Sequence, residues 1–461
     1  MNNSDRTKID SINRLQSLLN EKETNLDEYK KAGLLNDIAS LYAEKAEYES
    51  SLKCYNDSLN LRRKIADRSG EAKTINNISH IYKNIGDYDT ALKYLNQSLD
   101  IQQEIGDKQG EGTTLNNISQ IFDARGDYDK ALKYLKQSLI IRQEIGDRQG
   151  EGTTLNNISQ IYDARGDYDT ALKYLKQSLA IRQEIGDKSG EGATFNNLSA
   201  IYYARGDYDT ALKYLKQSLT IQQEIRNISG EGATLNNISQ IYKARGDYDT
   251  ALKYLKQSLT IRQEIGDKSG EGATLNNLSA IYHARGDYNT ALIYLKQSLA
   301  IQQEIGDISG EGTTLNNISQ IYNVRGDYDS ALKYLKRSLA IRQEIGDKSG
   351  EGATLNNLSA IYHARGDYDT ALKYLNKSLA IKQEIGDVAG ICATLFNIGH
   401  IHAENENIQD AVQAWLSSYR IAKSINLTQA LDALNSLAKQ LNLPGGMDGW
   451  DRLLKQLENE T

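Results

Sequence analysis

The chain is poor in the residues that break helices or cross-link a small core. Its 461 residues include one proline (Pro444), two cysteines, two tryptophans and three phenylalanines. With a single proline, almost nothing interrupts a helix from within. Cys54 and Cys392 stand near opposite ends, so no disulfide framework can be read and a reducing compartment is expected. No apolar run approaches the roughly 18 residues that cross a bilayer. The opening MNNSDRTKID has no apolar segment of the secretory kind. These absences point to a cytoplasmic protein without a membrane partner. A basic excess is also missing: the net charge is -7 and the pI about 5.5. This argues against nucleic acid or an anionic membrane as the partner.

Tyrosine is plentiful, with 29 copies, and a repeating position explains that more simply than many separate causes. Gly-Asp-Tyr begins at Gly86, Gly126, Gly166, Gly206, Gly246, Gly286, Gly326 and Gly366, always forty residues apart. Degenerate copies flank the block at Ala46-Glu47-Tyr48 and Glu406-Asn407-Ile408. The chain therefore divides into ten units over residues 30–426, with segments 1–29 and 427–461 outside them. A second Gly-Asp, such as Gly186-Asp187, sits halfway along most units. Glycine supplies the left-handed residue that ends one helix, and aspartate caps the next through its side-chain oxygen. Each unit thus reads as two helices, A and B, each roughly 27 Å long.

In the unit from Arg148 to Asp187, Leu155, Ile158, Ser159 and Tyr162 fall on one face of helix A. Tyr168, Ala171, Leu175 and Ser178 fall on one face of helix B. One such pair cannot bury both faces, but stacked neighbours can, which makes a solenoid.

These residues, Leu155-x2-Ile158-Ser159-x2-Tyr162 followed by Gly166-Asp167-Tyr168, Ala171, Leu175 and Ser178, resemble the tetratricopeptide repeat signature. The resemblance implies an all-α, right-handed superhelical solenoid of ten helix pairs. The period of forty and the missing proline after helix B are similar to kinesin light chains, LGN-type regulators and bacterial arrays. From residue 151 on, NNISQ alternates with NNLSA, so the copying unit there is eighty residues and reflects tandem duplication.

The two ends differ from the units. Ile9, Ile12, Leu15 and Leu19 share one helical face, as do Trp450, Leu453, Leu454 and Leu457. Both ends read as caps, which an array needs. The alternative for the Trp450 helix is docking into a groove.

Counting helix A from Gly152 as position 1, the core positions 4, 7, 8 and 11 lie opposite positions 2, 6, 9 and 13. In the family that opposite face lines the concave groove. Asparagine recurs at position 6: Asn77, Asn117, Asn157, Asn197, Asn237, Asn277, Asn317, Asn357 and Asn397. A carboxamide both donates and accepts, so a row of them suits the backbone of an extended peptide; the resemblance implies that role. The competing readings are bonds to neighbouring helices or water, and simple copying. Position 9 supplies Gln120, Gln160, Gln240 and Gln320. Position 12 varies against a nearly constant background: Lys83, Asp123, Asp163, Tyr203, Lys243, His283, Asn323 and His363. Either ligand specificity or drift at exposed sites produces such variation.

Chemistry is absent from these patterns. The five histidines form no HExxH motif, and His400 and His402 diverge on a helix. The glycines follow helices, not strands, and no GK[ST] follows them. No catalytic residue, metal or cofactor is expected. A carboxylate clamp would lack cations, because position 5 is mostly asparagine. The expected function is a non-enzymatic scaffold or adaptor binding an extended polypeptide. The alternative is a regulatory or sensor subunit controlling a separate effector enzyme in trans.

Overall fold

The computed structural model describes residues 10–17, 27–45, 47–425 and 427–460. Among these the helices alternate in ten pairs, from Glu28–Glu44 with Tyr48–Lys64 to Val388–Glu404 with Ile408–Ser424. The expected all-α solenoid is therefore the observed fold.

Local chemistry explains each boundary. In the unit used above, helix A spans Arg148–Ala164 and helix B Tyr168–Glu184. Asp147 accepts from the Gly150 N–H, and Asp167 from the Thr170 N–H, each a side-chain N-cap. Gly166 follows helix A at φ +78°, a left-handed turn that side chains resist. Leu155, Ile158, Ser159, Tyr168, Ala171, Leu175 and Ser178 are all buried, as their periodicity requires. Tyr162 stacks on Tyr174 at 5.6 Å between centroids, which accounts for two of the recurrent tyrosines.

Glycine at position 1 has a packing role. Ser178 Oγ donates to the Gly152 carbonyl at 2.7 Å, crossing from helix B to helix A of the same unit. A Cβ on Gly152 would lie 3.5 Å from Ile181 and Arg182, so the helices meet closely there. Neighbouring units are tied by ion pairs one repeat apart, such as Arg205 with Asp169.

Both ends pack against the array. Ile12, in helix 10–17, is buried, and Leu15 is half-buried; Ile9 and Leu19 lie outside the described residues. At the other end, Thr428–Gln440 and Met447–Glu460 fold back on Ile408–Ser424. Trp450 is fully buried there, and its Nε1 donates to the Leu434 carbonyl at 3.0 Å.

The superhelix winds so tightly that successive turns touch. The corner between helices A and B of one unit meets a corner between units six to seven repeats later. A Cβ on Gly86 would sit 3.0 Å from Ile345, and one on Gly126 3.4 Å from Ile385. A Cβ on Gly166 would sit 3.2 Å from Ile425. The Lys348 N–H donates to the Arg125 carbonyl at 3.2 Å. Ile345 joins the core around Tyr88, and Ile385 that around Tyr128. Burial at this seam pushes the Tyr128 phenol up to about 12. A cavity of 720 Å³ remains along the seam, walled by Tyr88, Phe122 and Arg125 on one turn and Ile308, Ile345 and Lys348 on the next.

Candidate functional site

The face of helix A opposite its core carries positions 6, 9 and 12. All nine position-6 asparagines except Asn397 are half-buried, as are all the position-12 residues named above; Gln160 and Gln320 are exposed. A cavity of 260 Å³ gathers Lys83, Gln120, Asp123, Asn157 and Gln160 from three consecutive units. Lys83 Nζ donates to Gln120 Oε1 at 2.6 Å, so positions 12 and 9 meet across a unit boundary. Across another boundary His363 Nε2 bonds Glu404 Oε2, at position 13, at 2.7 Å.

The asparagine row has a structural role that the repeat alone left open. In seven units position 6 donates to position 5 of the preceding unit: Asn157 Nδ2 to Asn116 Oδ1 at 3.0 Å, Asn197 to Asn156 at 2.9 Å, and Asn277 to Asn236 at 3.0 Å. Asn77, Asn117, Asn317 and Asn357 do likewise. Position 5 is fixed in turn: Asn276 Nδ2 reaches Ser298 Oγ and Thr314 Oγ1, both at 2.8 Å. Seven of the position-6 N–H₂ groups are thus engaged between repeats, while the position-6 carboxamide oxygens accept no bond among the described residues. Asn237 and Asn397 make no such bond, and the acceptor expected for Asn237, Asn196 Oδ1, is buried without a partner. The paired Asn-Asn at positions 5 and 6 was the available signal for this ladder. Only the second asparagine was assigned a role from the sequence.

Position 12 sets the electrostatics. Burial pushes both Asp123 and Asp163 up to about 6, and nearby Lys83 partly opposes this at Asp123. Burial also holds Lys83 and Lys243 below the usual lysine range. His283 is lowered by burial and then by Lys243, and its Nε2 is buried without a partner. Along the chain, position 12 runs from lysine through two aspartates and a tyrosine to a second lysine, then His283, Asn323 and His363.

Asp163 gives a test of this dehydration. Its folded pKa lies above the unfolded value of about 3.9, so between those values the folded state binds more protons. Stability contributed by this group therefore rises as pH falls through 6. Asp163→Asn should stabilise the protein by about 1 kcal/mol near neutral pH, and the gain should shrink as pH falls through 6 and vanish below about pH 4. Urea unfolding at the two pH values checks this; a gain independent of pH contradicts it.

Among the described residues no group of three or more His, Cys, Asp or Glu side chains could hold a metal, and no helix is long and apolar enough to cross a membrane.

A tetratricopeptide repeat profile matches residues 31–104, 70–144, 110–184, 150–224, 230–304 and 310–384. A profile for anaphase-promoting complex subunit 5 matches residues 359–442. No curated protein matches the chain. Among solved structures, a Rap protein complexed with competence and sporulation factor is similar over 77% of this chain and 99% of its own, at 16% identity and a TM-score of 0.53. A STAND-family signal transduction ATPase with a tetratricopeptide repeat sensor, from Pyrococcus horikoshii, is similar over 82% of this chain and 54% of its own, at 16% identity and a TM-score of 0.46. A putative kinesin light chain from Podosopora anserina is similar over 42% of this chain and 95% of its own, at 19% identity and a TM-score of 0.34. At these identities the likenesses speak to fold alone.

Proposed function

Because the chain belongs to the tetratricopeptide repeat family, we propose that it is a non-enzymatic scaffold holding an extended segment of a partner polypeptide against the position-6, -9 and -12 face of its A helices. The observation that carries this reading is position 12. Dehydrated side chains of changing charge sit there on an otherwise constant ladder. A dehydrated charge costs free energy unless a partner compensates it, so a bound segment gains most by supplying that compensation. Asp123 and Asp163 favour basic residues in the partner; Lys243 favours an acidic one. The position-6 carboxamide oxygens offer acceptors to backbone N–H groups at each repeat.

The ladder also decides how the reading is tested. Asn197→Ala and Asn277→Ala would break bonds between repeats, so lost binding could follow from lost structure. Asn237→Ala breaks none. Partners captured from the native cell by the wild-type chain would be compared with those captured by Asn237→Ala combined with Tyr203→Ala and Lys243→Glu. Loss of a captured protein by about tenfold or more is expected, with helicity unchanged. Equal capture by both proteins would sink the proposal.

A further inference from the structure

The seam between turns pairs two kinds of corner, and each kind recurs unpaired elsewhere in the chain. On the first turn, corners between units project Ile105, Ile145, Ile185 and Ile225 with nothing above them. Ile145 and Ile185 are 41% and 40% exposed, against 4% for Ile345 and Ile385, which occupy the same position inside the seam. A Cβ on Gly146 or Gly186 would meet nothing within 4 Å. On the second turn the A–B corners are open in the same way. A Cβ on Gly246, Gly286, Gly326 or Gly366 meets nothing, whereas Gly126 and Gly166 are buried.

The free corners carry the chemistry of the paired ones. Residues 181–190 read IRQEIGDKSG, and so do 341–350, which form the seam. Arg-Gly-Asp-Tyr stands both at the paired corner Arg125–Tyr128 and at the free corners beginning at Arg245, Arg285, Arg325 and Arg365. Inside the seam, the Arg125 side chain lies over Gly346, 3.7 Å from where a Cβ would stand, and Arg165 lies 3.5 Å from the equivalent point on Gly386. Arg125 pairs with Asp89 and Asp347 with Arg342, each within its own turn, so the corners meet through the arginine stems and the apolar isoleucines, and the free edges keep those same residues. Four consecutive free corners on each edge follow the same repeat and the same curvature. The C-terminal helices leave the lower edge open, since Thr428 reaches only as far as Gly206.

We propose that the free edges dock a second copy of this chain, the first turn of one molecule stacking on the second turn of another through the contacts the chain already makes with itself. Such an interface is head-to-tail. It leaves one edge of each kind open and propagates into a linear assembly instead of closing as a two-fold dimer. Within one chain the seam benefits from a high effective concentration; between chains it does not, so assembly depends on protein concentration.

The test is sedimentation of the full chain over the micromolar to millimolar range. The wild type should rise in mass past the dimer as concentration increases. An upper-edge variant, Ile145→Asp with Ile185→Asp, and a lower-edge variant, Arg285→Glu with Arg325→Glu, should each remain monomeric. An equimolar mixture of the two should form a dimer and stop there, because each supplies the edge the other lacks. Circular dichroism and small-angle scattering of each variant monitor the fold; if one variant loses it, Ile105→Asp with Ile225→Asp, or Arg245→Glu with Arg365→Glu, takes its place. A wild type monomeric throughout, assembly surviving in either variant, or a mixture that stays monomeric would each overturn the proposal.

Discussion

Ile345→Asp is expected to destabilise the protein by about 3 kcal/mol or more and to loosen its second turn. The side chain is 4% exposed and lies among Tyr88, Ala91 and Leu95 of a unit on the preceding turn. Removing it forfeits about 1.5–3 kcal/mol of apolar burial. The new carboxylate would then sit in a dehydrated corner beside Asp347, itself buried, at further cost. Ile145→Asp is the internal control. The local sequence is nearly the same, but the side chain is 41% exposed, and such surface changes usually stay within about 0.5 kcal/mol. Urea unfolding gives the two costs, and small-angle scattering should show a larger radius of gyration for Ile345→Asp alone. Equal costs at the two positions would mean that the turns do not touch in solution.

Leu255→Ala should cost about 2–5 kcal/mol, the range for deleting a fully buried leucine whose site cannot collapse. Leu255 has no exposed surface and packs with Ala251, Leu275, Leu278 and Ile281 across a unit boundary. Stability in a stacked array depends on nearest neighbours. Hydrogen exchange should therefore quicken in the units around residues 228–304, while the core about Trp450 keeps its protection. A cost below about 1 kcal/mol, or protection lost evenly along the chain, would contradict the assigned register.

The forty-residue spacing, the Gly-Asp caps and the apolar faces made the helix pairs legible, because each depends on residues close in sequence. Trp450 stood at helical spacing with its leucine neighbours, but only the folded end of the array brings it against Tyr419 and the Leu434 carbonyl. The asparagine row was visible as a row. Its inter-repeat bonds depend on how far one unit rotates on the next, which the repeat does not encode locally. The seam left no trace at all: Ile185 and Ile345 occupy identical ten-residue stretches, yet one is exposed and the other buried. Whether such a corner is covered follows from the superhelical pitch, a sum of small rotations over more than six units. The electrostatics of position 12 were half legible. The residue types could be read, but the burial that shifts Asp123 and Asp163 exists only in the folded array.

A partner polypeptide held as proposed lies along the face of the A helices that carries positions 6, 9 and 12. Site-specific photo-crosslinking in the native cell tests it most directly, with the reactive side chain placed at Tyr203 on that face or at Lys216 on the exposed face of a B helix. Position 203 should yield a crosslinked partner, with mass spectrometry mapping the link to one extended segment of it, while position 216 yields none. The same partner linked equally from both positions, or from 216 alone, would contradict it.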